Sequence, residues 1–540
     1  MAVTDLLRCN RILHFPSAPS RTTRYLPYSS SMTELDIDGA GVDSDSDGGD
    51  CDRSSPSTSL TPTEIDAAEK LHIIIKEHYR KNPDVPSSIN PNFTLSALSS
   101  GFSEMCADKT ISAAVIRRVI EKCGEARRGV PFHQALAFFN WAKARYSFQT
   151  PEPYSELVDL AGKAREFSVA WHMIRSMKSS NIRVPRETFL NLIRRYVRAG
   201  LTSEAEHTFD MMEEYDCKPD RNFFTAVICI LSKKRRATEA QKFFNRLKDK
   251  YEADVVVYSS LVHGWCRAGN ISEAQRVFNE MKVAGVEPNV YTYTIVIDAL
   301  CRGGQITRAQ DVFSEMIEKG CPPNTVTFNN LMRVHVKAGR TEKVLQVYNQ
   351  MKRLSCLPDI ITFNFLIESH CKDGNRDDAI MALNVMVKRG CGPNAFSFNP
   401  IFRCIAKSQD VNAAHRLSAQ MKDLGCKPNT ETYNILMKMF VEMRSTDMVI
   451  KLKKEMEEKQ VEPSVNTFRV LIRMFCGMGH WNHAYQCFTE MVEKRCIRPG
   501  KADYELVVQL LKKAGQMKKH EELVSKMVQR GYLAAPPFLL

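Results

Sequence analysis

The sequence predicts an all-α protein, a helical-hairpin repeat solenoid. Three observations carry this: a 35-residue repeat, apolar residues at helical spacing inside it, and a helix-stopping glycine at a fixed place in it. Cys321, Cys356, Cys391 and Cys426 are each 35 residues apart. Carried through the chain, that period gives eleven units: 151–185, 186–220, 221–254, 255–289, 290–324, 325–359, 360–394, 395–429, 430–464, 465–500 and 501–535. Only the third, of 34 residues, and the tenth, of 36, depart from 35. The fourth slot is aromatic in every unit, from Tyr154 to Tyr504, and the twenty-seventh is Met in every unit except the third, which has Leu247. A hairpin of this length cannot bury its apolar face alone, so the units must stack on a continuous core.

From the amino end, residues 1–31 carry Arg8, Arg11, Arg21 and Arg24, many Ser and Thr, and Asp5 as the one acid. That composition resembles an organellar transit peptide, with the mitochondrion expected as destination and the chloroplast as alternative. Residues 32–60 form an acidic Ser/Asp-rich linker with nothing to bury, expected to be disordered. Residues 61–150 return to helical spacing in IDAAEKLHIIIKEHYR, AAVIRRVIEKCG and FHQALAFFNWAKARY, an expected helical cap with one degenerate unit around 115–150.

Within a unit, VYTYTIVIDALCRGG (290–304) places Tyr293, Val296, Ile297, Leu300 and Cys301 on one helical face. Gly304 then stops the helix, and glycine recurs in that fifteenth slot as Gly200, Gly269, Gly339, Gly374, Gly479 and Gly515. A second helix follows in AQDVFSEMIEKG, where Ala309, repeated in seven other units, lets the two helices cross closely. Proline then breaks the chain before the next unit, as at Pro288, Pro323 and Pro358.

Composition narrows the function. Hydrophobic residues at 44% and charged residues at 25% are ordinary for a folded chain, and no window nears the roughly 18–20 apolar residues of a membrane span, so no membrane partner is expected. The net charge of +13 contains a local −7 between Met32 and Arg53, leaving +20 for the rest, a surplus compatible with a polyanion. The 17 cysteines fall largely in repeated slots, which reads as core packing rather than bridges or zinc. Cys476, His480, His483 and Cys487 have metal-like spacing, but their slots hold Cys or Val without histidines in other units. With no phosphate loop, nucleophile elbow or acid pair, no catalytic residue, metal or cofactor is expected.

Tryptophan, which the tetratricopeptide pattern wants in one slot, occurs only at Trp141, Trp171, Trp265 and Trp481 and shares none. By contrast VVVYSSLVHGWCRAGNISEAQRVFNEMKVAGVEPN (255–289) and the two units after it closely resemble the pentatricopeptide repeat (PPR) of plant organellar RNA-binding proteins, over about 385 of 540 residues. About five residues remain after the last unit, so the expected type is the P class, without the family's deaminase-like editing extension.

The resemblance implies one RNA base read per unit by the fifth and last residues. From the third unit on, the fifth slot holds Thr225, Ser259, Thr294, Asn329, Asn364, Asn399 and Asn434. The last holds Asp254, Asn289, Asn324, Asp359, Asn394, Asn429 and Ser464. All fourteen can hydrogen-bond to a base edge. The last column also suits helix N-caps. Asn is a poor residue inside a helix, so the fifth column costs propensity with no evident packing return. The family's code implies a core near 5′-GAAUYYY-3′, with Val256, Tyr291, Val326, Ile361 and Phe396 in the second slot flanking the bases. Glu431 departs from that apolar column. The first two and last two units lack confident pairs; Arg469, in the fifth slot of the tenth, reads equally as a phosphate contact or a solvated residue. The implied role is sequence-specific binding of single-stranded organellar RNA by a monomer acting through occupancy. Protein co-factors of RNA processing or the mitochondrial ribosome are further implied partners, and a scaffold such as a ribosome-associated subunit is the alternative.

Overall fold

Apolar stripes at 3.6-residue spacing give each unit a pair of helices, with a side-chain cap ahead of the first helix in units 4 to 10 and a left-handed residue behind most helices. A computed structural model describes residues 61–81, 102, 111–125, 129–146, 148–233 and 236–532. The segments 1–31 and 32–60 lie outside the described residues. The described residues form 25 α-helices and no strand, all within one body, Leu60–Leu540. In the fifth unit the helices are Val290–Arg302 and Ile306–Glu318, and in the sixth Thr325–Lys337 and Thr341–Arg353. First helices of consecutive units pack on one another, and each second helix packs against the first helix of its own unit.

Two columns of left-handed residues close the helices. Gly304 (φ 73°) ends the first helix of the fifth unit, and Arg165, Gln409 and Arg444 take the same conformation where the fifteenth slot has no glycine. A second column, at the thirty-first slot, ends the second helices, as at Gly320 (φ 71°), Ser355 and Gln460. The two odd-length units show where a residue can be lost or gained. The 34-residue unit has no left-handed residue between Leu247 and Asp254. The 36-residue unit absorbs its extra residue as a π turn, Glu490–Lys494, after Trp481–Thr489.

The fourth-slot aromatics and twenty-seventh-slot methionines lie in the core, Tyr504 and Leu247 being only partly buried. From unit 4 to unit 7 the aromatic meets a ring from the second helix of the preceding unit, edge to face at 5.6 Å for Phe278–Tyr293 and 5.4 Å for Phe313–Phe328. The Ala309 column is buried throughout its eight positions, so the hairpin helices approach at their small residues. Burial pushes the Cys266, Cys301 and Cys371 thiols up to about 12 and Cys476 to about 11, which keeps this column neutral. His483 stacks on Phe475, and Cys487 is buried. Ahead of the first unit, Pro62–Lys81 packs on Ala113–Cys123, which packs on the first helix of that unit as first helices do elsewhere; Phe132–Tyr146 follows it.

Candidate nucleic-acid interface

In each first helix the second, fifth, ninth and thirteenth slots are three or four residues apart and share one face. The last residue of the preceding unit stands at its start. All seven last-slot residues cap: Asp254 accepts from the backbone N–H groups of Val256 and Val257, and Asn289, Asn324, Asp359, Asn394, Asn429 and Ser464 each accept from the third-slot N–H of the next unit. Capping is therefore part of what this column does.

The fifth slot has a packing return that its sequence does not reveal. Its side chain bonds to a third-slot hydroxyl of the following unit: Ser259 to Thr292 (2.6 Å), Thr294 to Thr327 (2.8 Å), Asn329 to Thr362 (2.7 Å), Asn364 to Ser397 (2.6 Å) and Asn399 to Thr432 (2.7 Å). The same hydroxyls sit beside the caps, as Thr292 beside Asn289 and Thr362 beside Asp359. Each junction is thus a short relay of cap, hydroxyl and fifth-slot group. The third-slot column recurs at the 35-residue period like the others, but a Thr three residues after Asn reads as an ordinary helix start.

Within a unit the fifth and last side chains also meet. Asn329 Nδ2 donates to both Asp359 carboxylate oxygens, at 3.1 and 3.2 Å, Asn399 Nδ2 to Asn429 Oδ1 at 3.4 Å, and Asn434 Nδ2 to Ser464 Oγ at 3.3 Å. Asn434 Oδ1 is buried without a partner. Thr225, whose third-slot neighbour is the apolar Val257, bonds instead to the carbonyl of Arg221. In the second slot Val256 is 47% and Phe396 63% exposed, while Tyr291, Val326 and Ile361 are half-buried. Ninth-slot residues touch the second slot of the next unit: His263 Nδ1 lies 3.5 Å from Tyr291 Oη, and Arg403 pairs with Glu431.

The thirteenth slot was not singled out by the sequence, although it too keeps the period. Lys163, Arg198, Lys233, Arg267, Arg302, Lys337, Lys372 and Lys407 occupy it in eight consecutive units, all exposed, before Glu442 and Gly477 interrupt and Lys513 resumes. A cation suits a helix C-terminus anyway, but eight in register also line one face with positive charge. Burial first, then the charges of Arg267, Arg302 and Lys233, hold the His263 imidazole below its usual range. Arg469 keeps its side chain 38% exposed while its Nε donates to Asp503 at 3.2 Å, an ion pair across the fifth-slot to third-slot junction.

A PPR repeat family model matches residues 253–302, 295–333, 323–368, 358–407, 393–442 and 430–477; a pentatricopeptide repeat domain model matches 172–234, and a PPR repeat model 223–251 and 467–496. The chain belongs to the pentatricopeptide repeat family. A PPR protein of Arabidopsis thaliana is 30% identical over 178 residues, 32% of this chain and 27% of that one. A second from the same plant, named as mitochondrial, is 30% identical over 152 residues, 28% of this chain and 29% of that one. Each match spans less than a third of the relative's own length. Among solved structures, the PPR protein PPR10 in complex with an 18-nt psaJ RNA element is 20% identical at a TM-score of 0.46, over 89% of this chain and 82% of that one. Yeast Rmd9p in complex with a 16-nt target RNA is 12% identical at a TM-score of 0.30, over 88% and 98%.

Proposed function

We propose that this PPR protein binds one single-stranded organellar RNA segment sequence-specifically, one base per unit across units 3 to 9, with a core near 5′-GAAUYYY-3′. It acts by occupancy, shielding the bound stretch or holding it unpaired for processing, splicing or translation, with no catalytic residue and as a P-class array. The mitochondrial names of relatives and the Arg- and Ser-rich start of the chain support the mitochondrion as its site of action. One observation carries the reading: in units 6, 8 and 9 the fifth and last side chains meet as donor and acceptor, bordered by second-slot side chains. Asn329 Nδ2 beside the Asp359 carboxylate offers a donor next to an acceptor, the complement of uracil's carbonyl and N3–H. The amide caps Asn394 and Asn429 use Oδ1 for the helix and turn N–H donors outward, which suits the acceptor-rich edge of cytosine. Bases stacked on the second slot add ~1–3 kcal/mol each, and the thirteenth-slot cations face the phosphates.

The test is selection from a random RNA pool by the full chain at ~150 mM salt, where plain phosphate attraction is screened. Enrichment of GAAU followed by pyrimidines is expected; a flat selection whose binding fades with salt rejects the reading. The junction hydrogen bonds of the fifth slot favour a second reading, a scaffold such as a mitochondrial ribosome-associated subunit. Asn329→Ala with Asn364→Ala separates the two, since RNA affinity falls in the first case and hardly moves in the second.

A further inference from the structure

We propose that Glu431 is a specificity-determining residue that makes unit 8 select cytosine over uracil, an inference that rests on the base-reading role above. Glu431 occupies the second slot of unit 9 and so borders the base position of unit 8, opposite Phe396. Its Oε2 accepts from Asn399 Nδ2 at 3.2 Å, and Arg403 holds Oε1. The other Nδ2 hydrogen of Asn399 points to Asn429 Oδ1 at 3.4 Å, and its Oδ1 takes the Thr432 hydroxyl at 2.7 Å. Asn399 therefore has no spare donor, unlike a fifth-slot Asn that meets only its own last-slot partner. The capacity left at this pocket is the Nδ2 donors of the Asn429 cap, whose Oδ1 is engaged, and the acceptor lone pairs of the Glu431 carboxylate.

A base that complements unit 8 presents an acceptor to the Asn429 amide and a donor to that carboxylate. Cytosine does so with ring N3 and its exocyclic amino group, whereas uracil meets the same pair with N3–H and the O4 carbonyl, so donor faces donor and acceptor faces acceptor. The Arg403 guanidinium fixes the carboxylate and offsets its charge against the nearby RNA backbone. The same ninth-slot to second-slot contact one half-array away joins His263 to the phenol Tyr291, which carries no such discrimination.

The test is titration of the full chain with two RNAs containing 5′-GAAU and three pyrimidines, differing only in C or U at the sixth nucleotide, at ~150 mM salt. The wild-type chain is expected to favour C by about tenfold. Glu431→Gln, which can donate as well as accept, and Glu431→Val, which restores the apolar flank, should bring the ratio near one while leaving the U preference at the fourth nucleotide intact. A wild-type ratio near one, or a ratio unchanged in both variants, with the fourth-position preference present, overturns this inference alone. Loss of preference at both positions in the wild-type chain overturns the base-reading proposal and this one with it.

Discussion

Between units 4 and 9 the fifth-slot to third-slot junctions are uncharged hydrogen bonds, hydroxyl to hydroxyl or hydroxyl to amide, from Ser259–Thr292 to Asn399–Thr432, and the ion pairs that also cross these units, such as Asp298–Arg333 and Arg376–Asp410, are partly exposed. At the amino end the same kind of bond, Ser155–Thr188 at 2.6 Å, is reinforced by a buried ion pair, and at the carboxyl end an ion pair takes its place. Asp159 and Arg195 join units 1 and 2 through two bonds of 2.8 and 2.9 Å while both are almost fully buried, and Arg469–Asp503 joins units 10 and 11. The difference separates holding from reading. A neutral hydrogen bond contributes about 1 kcal/mol net and leaves further donors and acceptors on the same amide, so a ligand can share it. A buried ion pair consumes its groups and is costly to open, so it fixes a junction and offers nothing to a base. The junctions that add an ion pair are built to hold, and the uncharged junction bonds keep hydrogen-bonding capacity in reserve.

The comparison breaks most visibly at Asp159. Asp159→Asn leaves the Arg195 charge buried and without its counter-ion and should destabilise the first two units by ~3–5 kcal/mol, measured by urea unfolding and by hydrogen exchange localised to 151–220. Replacing the pair together, Asp159→Leu with Arg195→Met, should recover most of that loss. The junction is also acid-sensitive. Burial raises the Asp159 carboxyl, but the hydrogen bonds and charge of Arg195, helped by Lys163, outweigh it and hold the group below the ordinary carboxylate range. A depressed folded-state value means the stabilisation is complete above about pH 4 and is lost as pH falls through the folded value, so exchange at this end should quicken before the centre responds.

A smaller effect is expected at a central junction. Thr362→Val keeps the shape but removes the hydroxyl that serves Asn329 and Asp359, leaving the buried Asn329 Oδ1 unpaired. A loss of ~1–3 kcal/mol in thermal or urea unfolding is expected, together with a weaker uracil preference at the fourth nucleotide, because the reading amide is no longer held. Stability lost without any change in base preference would show that holding and reading are separate at this junction.

How much of this was legible beforehand follows from where each signal sits. Helices, stops and core are local to one unit and repeat identically, so columns such as Tyr293 and Met316 reveal them. The junction bonds lie between units. Asn329 and Thr362 are 33 residues apart and look unremarkable separately, a poor helix former and a helix-start Thr. Asp159 and Arg195 sit in the ninth and tenth slots, 36 residues apart, so they fall in no shared column. Glu431 broke an apolar column, and only its contacts with Asn399 and Arg403 give the break a meaning. The thirteenth-slot cations were visible in the sequence but ordinary at helix ends.

Those cations sharpen the comparison with a still smaller change. Lys337→Ala lies in the reading region yet touches no reading residue, so it should weaken all RNA sequences alike, by less than tenfold, and reduce the salt slope of binding by ~0.7. A change in which base is preferred at the fourth nucleotide would instead make Lys337 part of the reading pair.

The smallest effects are in the backbone, where the comparison is between slots filled with glycine and slots that are not. Gly304 (φ 73°) and Arg444 (φ 56°) occupy the same fifteenth slot in units 5 and 9. A Cβ at Gly304 meets nothing within 4 Å, so Gly304→Ala carries only the left-handed penalty of an L-residue, ~1 kcal/mol. Arg444 already bears that penalty, and Arg444→Gly should return part of it, ~0.5 kcal/mol, since glycine also gains unfolded-state entropy that opposes the benefit. Urea midpoints should therefore move in opposite directions for the two substitutions. A fall in both would mean that the Arg444 side chain stabilises its turn by more than the backbone conformation costs.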